Sequence, residues 1–371
     1  MLKILLIYYE PRPSGQTTHV LSLIQGLDRQ NYHLTLALPP HLQQSLPRLN
    51  RANLDIIPLP IRKLIWGPGL IRSLIRLIRR HKIDIVHVHS QEAGLPMRLV
   101  AWLAGTAKII YTPQTIDIRR ANWQGVYLQI ERMLAHLTDL IISVNEFDRK
   151  RLISLSISAN KVVTIPNGID LTRFDALINP SHIREDLGLL AGRPLIMQVG
   201  RLSPQKKPLA FLKGAAVVAR RYPEAQFALI GEGPLQAALV QQIQALGLQE
   251  QVHLLGWRDQ AFKLLAAADI VTLTSQWEGT PYALLEAMAW SRPIVTTAAN
   301  GCSEVVNHGV TGYLAPVGDI DAWADAVINL LDDPAKAATM GQQGRYRVEQ
   351  CFSLEQMIRQ IESVYEQVAN H

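Results

Sequence analysis

Residues 195–208 read LIMQVGRLSPQKKP: a short, mostly apolar run, a glycine, a basic loop and a proline. A run this short, stopped by glycine, reads as a strand buried on both faces. The proline suits the first turn of a following helix, where a missing N–H costs nothing. The same order recurs in QFALIGEGP (226–234) and IVTLTSQWEGTP (270–281). In open parallel sheets, ligands bind beyond the carboxyl ends of the strands, where helix N-termini present unpaired N–H groups. If the three strands are parallel neighbours, their turns share one anion-binding edge.

Working outward, short apolar runs alternate with helical periods along the whole chain, the pattern of a parallel α/β sheet. In the first half the strands are expected at Lys3–Tyr8, His33–Leu38, Asp84–His89, Lys108–Thr112, Leu140–Val144 and Val162–Ile165. The second half continues with Leu195–Val199, Gln226–Ile230, Val252–Leu254, Ile270–Leu273, Pro293–Thr296 and Gly312–Leu314. Two doubly wound units in tandem account for this: residues 1–175, joined by a last helix over 353–371, and residues 176–352. Pro180, Gly188, Gly192 and Pro194 mark Arg173–Pro194 as the expected linker. The last helix carries Leu354, Met357, Ile358, Ile361, Val364, Tyr365 and Val368 on one face, so it must dock.

Composition excludes several classes. The 371 residues are 48% hydrophobic and 18% charged, a globular balance with enough chain for two cores. Two cysteines are too few for a disulfide framework, which makes a cytoplasmic setting the expectation. No run reaches the length of a bilayer span, and Met1–Tyr9 reads as a first strand rather than a signal peptide. The net charge of +6 divides unevenly. Residues 1–180 hold 22 Lys+Arg against 12 Asp+Glu, and residues 181–371 hold 15 against 19.

The chemistry concentrates at the three turns. Arg201, Lys206 and Lys207 beside a helix N-terminus suit a diphosphate, the guanidinium by paired hydrogen bonds and the ammonium as a point charge. At the third turn Thr280 is expected to cap a helix with Pro281 in its first turn, leaving Glu278 outside and Glu286 inside. Two carboxylates near an anion site make poor phosphate ligands and good acceptors for sugar hydroxyls. Competing motifs fall short. Gln236 stands where a dinucleotide fingerprint needs its third glycine, and Asp319-Ile320-Asp321 reads as a helix cap rather than a metal-binding pair. His87 and His89 share a strand face with no third ligand at metal spacing, so no metal site is expected.

GRLSPQKKP, LIGEGPL, Gly256-Trp257 with Asp259, EGTPYALLEAMA and GCSEVVNHGVTGYL together resemble the retaining family-4 glycosyltransferases of the GT-B fold. IPNGID (165–170) resembles that family's close of the first domain. The resemblance implies two Rossmann-like domains facing across a cleft, with the last helix returning to the first. It also implies transfer of a sugar from a nucleotide-diphosphate donor to an acceptor, lipid-linked or a growing glycan, with no metal or other cofactor. Arg201 and Lys206 would hold the diphosphate and Glu278 the donor sugar, these three being the catalytic set. Glu286 would take the ribose, Trp257 and Asp259 would face the base, and Gly200, Gly231, Gly279, Thr280, Pro281 and Tyr282 would complete the donor site.

The first half departs from the family twice. Its first loop, Pro13-Ser14-Gly15-Gln16, keeps one glycine of the usual two, so Gly15 and Gln16 are the donor contacts expected there. Gln114 stands where the family places a histidine. It can hydrogen-bond a sugar hydroxyl but cannot take a proton, and with His89 it is a candidate sugar or acceptor contact. These departures keep a non-catalytic nucleotide-sugar-binding subunit as an alternative; an epimerase on the same scaffold, which would isomerise the donor without any acceptor, is a further one.

Residues 61–82, IRKLIWGPGLIRSLIRLIRRHK, carry seven Lys/Arg and no acid. An ordinary sheet-covering helix with a solvated arginine face explains them. So does contact with an anionic membrane surface, which would place the protein at the cytoplasmic face of a membrane. Nucleic acid is not expected, since no recognition motif or stacking ladder accompanies the cations.

Overall fold

The computed structural model describes residues 1–9, 14–40, 52–59, 68–105, 107–116, 124–175 and 179–370. The chain forms two units, Met1–Gly168 with Leu354–His371, and Ile169–Ser353.

In the first unit, seven strands form one sheet: β1 (Leu2–Tyr8), β2 (Tyr32–Leu38), β3 (Leu54–Pro58), β4 (Ile85–His89), β5 (Lys108–Thr112), β6 (Leu140–Ser143) and β7 (Val162–Thr164). Their order is β3-β2-β1-β4-β5-β6-β7, every pair parallel. Both faces are covered, which explains why β1 reads as a continuous apolar run instead of an alternating one. Ile4, Leu6 and Tyr8 enter one core, while Leu5 and Ile7 enter the other. The last helix, Leu354–Ala369, belongs to this unit as expected. It buries Met357, Ile358, Ile361, Val364, Tyr365 and Val368 in the core that holds Val20, Leu23 and Ile24. The sequence reading missed β3 because Asp55 and Pro58 interrupt its apolar run. It lies at the sheet edge, where a proline forfeits no ladder bond.

The second unit has six strands: β8 (Leu195–Val199), β9 (Gln226–Ile230), β10 (Val252–Gly256), β11 (Ile270–Leu273), β12 (Ile294–Thr297) and β13 (Gly312–Ala315). Their order is β10-β9-β8-β11-β12-β13, again all parallel.

The expected linker is not a linker. The described part of Arg173–Pro194 holds a helix over Pro180–Asp186, capped by the Asn179 side chain. Phe174 and Leu189 lie in the second unit's core, and the Phe174 ring stacks edge-on to Phe262 at 5.4 Å and Trp290 at 5.2 Å. Arg184 donates to the Ala267 and Arg193 carbonyls and pairs with Asp269 at 2.9 Å. Proline and glycine marked the turns here, but the residues between them still pack.

Candidate active site

The expected sharing of one edge is realised, because β9, β8 and β11 are parallel neighbours. Their loops are stitched together. The Leu202 N–H donates to the Glu232 carbonyl at 2.9 Å, and the Leu235 N–H donates to the Leu202 carbonyl at 3.0 Å. On the other side, the Gln276 N–H donates to the Gln205 carbonyl at 2.8 Å, and Gln205 Nε2 to the Trp277 carbonyl at 3.0 Å. Thr274 Oγ1 lies 3.1 Å from Gln198 Oε1 and 3.0 Å from the Lys206 and Lys207 carbonyls.

The stitching brings Lys206 to Glu278. Lys206 Nζ donates to Glu278 Oε1 at 2.6 Å, and the Glu278 side chain is only 6% exposed. A carboxylate so buried needs this partner. Lys207 turns the chain with a left-handed φ of 45°, setting Pro208 as the first residue of the Pro208–Arg221 helix. Arg201 stays exposed on the same loop.

Two glycines are explained by close approach. A Cβ at Gly231 would lie 2.1 Å from the Gly200 carbonyl oxygen. One at Gly301, in the Asn300–Val305 helix, would lie 1.2 Å from the Gly279 carbonyl oxygen, and the Gly301 N–H donates to the Glu278 carbonyl. This short helix thus props the loop that carries Glu278. Beside it, Cys302 is fully buried, with its thiol pushed up to about 12 by burial and then by Glu278, so it is no nucleophile at neutral pH.

Thr280 does not cap the next helix. That helix spans Tyr282–Ala289, and Pro281 occupies the cap position without a side-chain bond. Glu286 sits inside it as expected. Burial pushes its carboxyl up to about 8, partly offset by Arg173. Thr280, Pro281 and Tyr282 are buried along the same turn. At the end of β10, Trp257 is half exposed and its Nε1 donates to Asp259 Oδ1 at 3.2 Å, so these two hold each other. Asp319 accepts the Ala322 N–H at 2.9 Å, the expected helix cap.

The remaining candidates belong to the first unit. Pro13 lies outside the described residues, as do residues 61–67 of the basic segment. Ser14 caps the Gly15–Gly26 helix. Its Oγ accepts the Gln16 N–H, and its own N–H donates to Thr17 Oγ1. Gln114, at the end of β5, is 7% exposed and adopts a left-handed φ of 66°. His87 packs as expected, with its ring nitrogens 2.8 Å from the Tyr365 hydroxyl and from Thr112 Oγ1. His89 is fully buried, and neither ring nitrogen has a hydrogen-bond partner among the described residues. Sequence reasoning missed His19, whose Nδ1 lies 2.9 Å from Asn167 Oδ1, and gave Asn167 of the IPNGID motif no role. Among the described residues no group of three His, Cys, Asp or Glu could hold a metal ion.

Residues 181–347 match the family Glycosyl transferases group 1, and residues 13–173 match Glycosyltransferase Family 4. The chain belongs to the retaining family-4 glycosyltransferases. It is similar to the UDP-Gal:alpha-D-GlcNAc-diphosphoundecaprenol alpha-1,3-galactosyltransferase of Escherichia coli, 32% identical over 79% of this chain and 78% of that protein. It is also similar to a GDP-mannose-dependent monoacylated alpha-(1-6)-phosphatidylinositol monomannoside mannosyltransferase of Corynebacterium glutamicum, 25% identical over 94% and 93% of the two chains. In fold it resembles Anabaena HepE, solved in complex with UDP-glucose, with a TM-score of 0.86 and 22% identity covering 99% of this chain and 100% of that one. The fold is GT-B, and this family-4 protein is a glycosyltransferase that uses a nucleotide-sugar donor.

Proposed function

We propose that this glycosyltransferase moves a hexose from a UDP-linked donor to a hydroxyl of a lipid-linked saccharide, retaining the anomeric configuration and using no resident metal. The observation that carries the reading is the Lys206–Glu278 pair at the shared edge of β9, β8 and β11, with Arg201 on the same loop. Arg201 and Lys206 meet the charge that builds on the departing diphosphate, the task a metal would otherwise perform. Glu278, with one oxygen held by Lys206, takes the hydroxyls of the donor sugar. Glu286 takes the ribose hydroxyls. Backbone N–H groups after Gly279 and around Gly200 and Gly231 face the phosphates, and the turn at Trp257 and Asp259 faces the base. In the first unit, Gly15, Gln16, Gln114 and His89 are the candidate ligand contacts. Because Gln114 cannot take a proton, the departing phosphate receives the one released by the acceptor hydroxyl.

The lipid-linked acceptor is supported by the E. coli and C. glutamicum relatives, whose names specify diphosphoundecaprenol and phosphatidylinositol acceptors, and by one surface. The Gln91–Ala104 helix buries Met97, Val100, Ala101 and Ala104, yet exposes Leu95, Leu99, Trp102 and Leu103 on its opposite side. Beside it runs the Pro68–His81 helix, which buries Leu74 and Ile78 and exposes Arg72, Arg76, Arg79 and Arg80. Arg79 reaches across to the Leu103 and Ala104 carbonyls. An apolar stripe flanked by cations suits anionic headgroups over an acyl layer. Among the described residues no helix is long and apolar enough to cross a membrane.

Transfer is tested with UDP-galactose and UDP-glucose against undecaprenyl-diphosphate saccharides, with the product anomer read by NMR. Arg201→Ala is expected to lower kcat about 100- to 1,000-fold with the fold intact. A fully active Arg201→Ala protein, or an inverted product, would overturn the reading. Co-sedimentation with phosphatidylglycerol vesicles, weakening with salt and lost in Leu99→Ser/Trp102→Ser, tests the surface.

A further inference from the structure

The Pro334–Cys351 helix lies in the second unit and supplies no residue to the site described so far, yet its sequence carries a local cost. Gly341 and Gly344 stand inside it, and a glycine in a helix interior is less favourable than alanine by about 1 kcal/mol. Both glycines are buried against the end of the Tyr282–Ala289 helix, which carries Glu286. A Cβ at Gly341 would lie 2.0 Å from the Ser291 carbonyl oxygen, and one at Gly344 would lie 3.3 Å from Met288 Cγ. This close approach brings two arginines of the same helix to the ends of two others.

Arg345 Nη1 donates at 2.8 Å to the carbonyl of Ala289, the last residue of the Glu286 helix. Its other nitrogens are engaged too, Nη2 with Asp175 at 2.9 Å and Nε with Glu349, so the guanidinium is fixed on three sides. Arg347 donates from Nε to the Val305 carbonyl at 2.8 Å and from Nη2 to the Glu304 carbonyl at 2.7 Å. Those carbonyls end the Asn300–Val305 helix, whose Gly301 abuts the Gly279 carbonyl and donates its N–H to the Glu278 carbonyl. The last carbonyls of a helix have no partner within it, and a cation placed there also meets the negative end of the helix dipole. The two arginines thus divide the carboxylates between them. Arg345 holds the helix that carries Glu286, and Arg347 holds the helix that props Glu278.

We propose that Arg345 and Arg347 are positioning residues for the donor, Arg345 fixing the carboxylate that takes the ribose and Arg347 the one that takes the hexose. The proposal rests on the donor reading above and deepens it. Two parts of one ligand are placed by two separate supports on one helix. Both arginines act through main-chain carbonyls, so neither is a catalytic residue.

UDP contains the ribose and the diphosphate but no hexose, which separates the two supports. Calorimetric binding of UDP and of UDP-galactose is compared in wild type, Arg345→Met and Arg347→Met, each checked for an intact melting transition. Arg345→Met is expected to weaken both ligands about tenfold, and Arg347→Met to weaken UDP-galactose about tenfold while leaving UDP within about twofold. Equal losses for the two ligands in both variants, or wild-type affinities in both, would overturn the proposal. A role in the fold alone moves the two ligands together, or moves only the melting temperature. Should a methionine variant fail to fold, Arg345→Lys and Arg347→Lys, which keep the charge but not the planar fork, carry the same comparison with the same split expected.

Hydrogen exchange on the free protein reads the holding without any ligand. Arg345→Met should speed exchange in Tyr282–Ala289 and Arg347→Met in Asn300–Val305, each sparing the other helix. Exchange that quickens evenly, or not at all, overturns the division of labour. A wild type that binds neither ligand defeats the donor reading and the proposal with it, whereas binding without the split defeats the proposal alone.

Discussion

Glu286 offers the sharpest quantitative test of the donor site. Its carboxyl is pushed from 4.5 up to about 8, first by burial and against the pull of Arg173. The proposed ribose contact needs the carboxylate as acceptor, so the site must lose a proton to bind well. With a pKa of about 8, roughly one molecule in a hundred is ionised at pH 6 and half at pH 8. Affinity for UDP-glucose, whose diphosphate keeps its charge over this range, should therefore rise about 50-fold between those two pH values. Titration calorimetry in buffers of differing ionisation enthalpy should show close to one proton released per ligand near pH 6. Glu286→Gln should abolish both the slope and the proton release. It should also bind about 10- to 100-fold more weakly than wild type at pH 8, where the charge-assisted bonds are lost.

Stability should move the opposite way. A carboxyl whose folded pKa lies above its unfolded one is protonated in both states below about pH 4.5. From there the fold is penalised until the pH reaches about 8, by up to about 5 kcal/mol. Glu286→Gln should thus raise the melting temperature at pH 8 and leave it nearly unchanged at pH 4. A flat affinity profile in wild type, or the same slope in Glu286→Gln, would refute the argument.

Two further predictions follow from the loop packing. Lys206→Ala strips Glu278 of its 2.6 Å partner and should destabilise the protein by about 3–5 kcal/mol, whereas Arg201→Ala should change the urea midpoint little. Gly301→Ala places a methyl group 1.2 Å from the Gly279 carbonyl oxygen and must displace the loop that carries Glu278. Binding of UDP-galactose by calorimetry should fall more than the melting temperature does.

Much of the fold was legible because a parallel sheet covered on both faces writes itself as short apolar runs, and Leu195–Val199, Gln226–Ile230 and Ile270–Leu273 were found residue for residue. β3 escaped because an edge strand need not be continuously apolar. The segment after Arg173 was misread because turn residues mark where the chain bends, not whether Phe174 and Leu189 find a core. Arg201, Lys206, Glu278 and Glu286 were legible as residue types at spaced turns. Thr280 was not, because its place depends on where the helix begins.

The sequence by itself determined the alternation of strands and helices, the family, and which cations and carboxylates stand at the strand ends. These properties are local, carried by periodicity and by residue type within a few positions of a turn. Only the tertiary structure decided that Lys206 meets Glu278 across 72 positions of chain, that burial brings the Glu286 carboxyl close to neutrality, and that Asn167 joins His19 to Gln114. Pairing, burial and the direction of a hydrogen bond arise when distant segments close on one another, and no spacing along the chain records them.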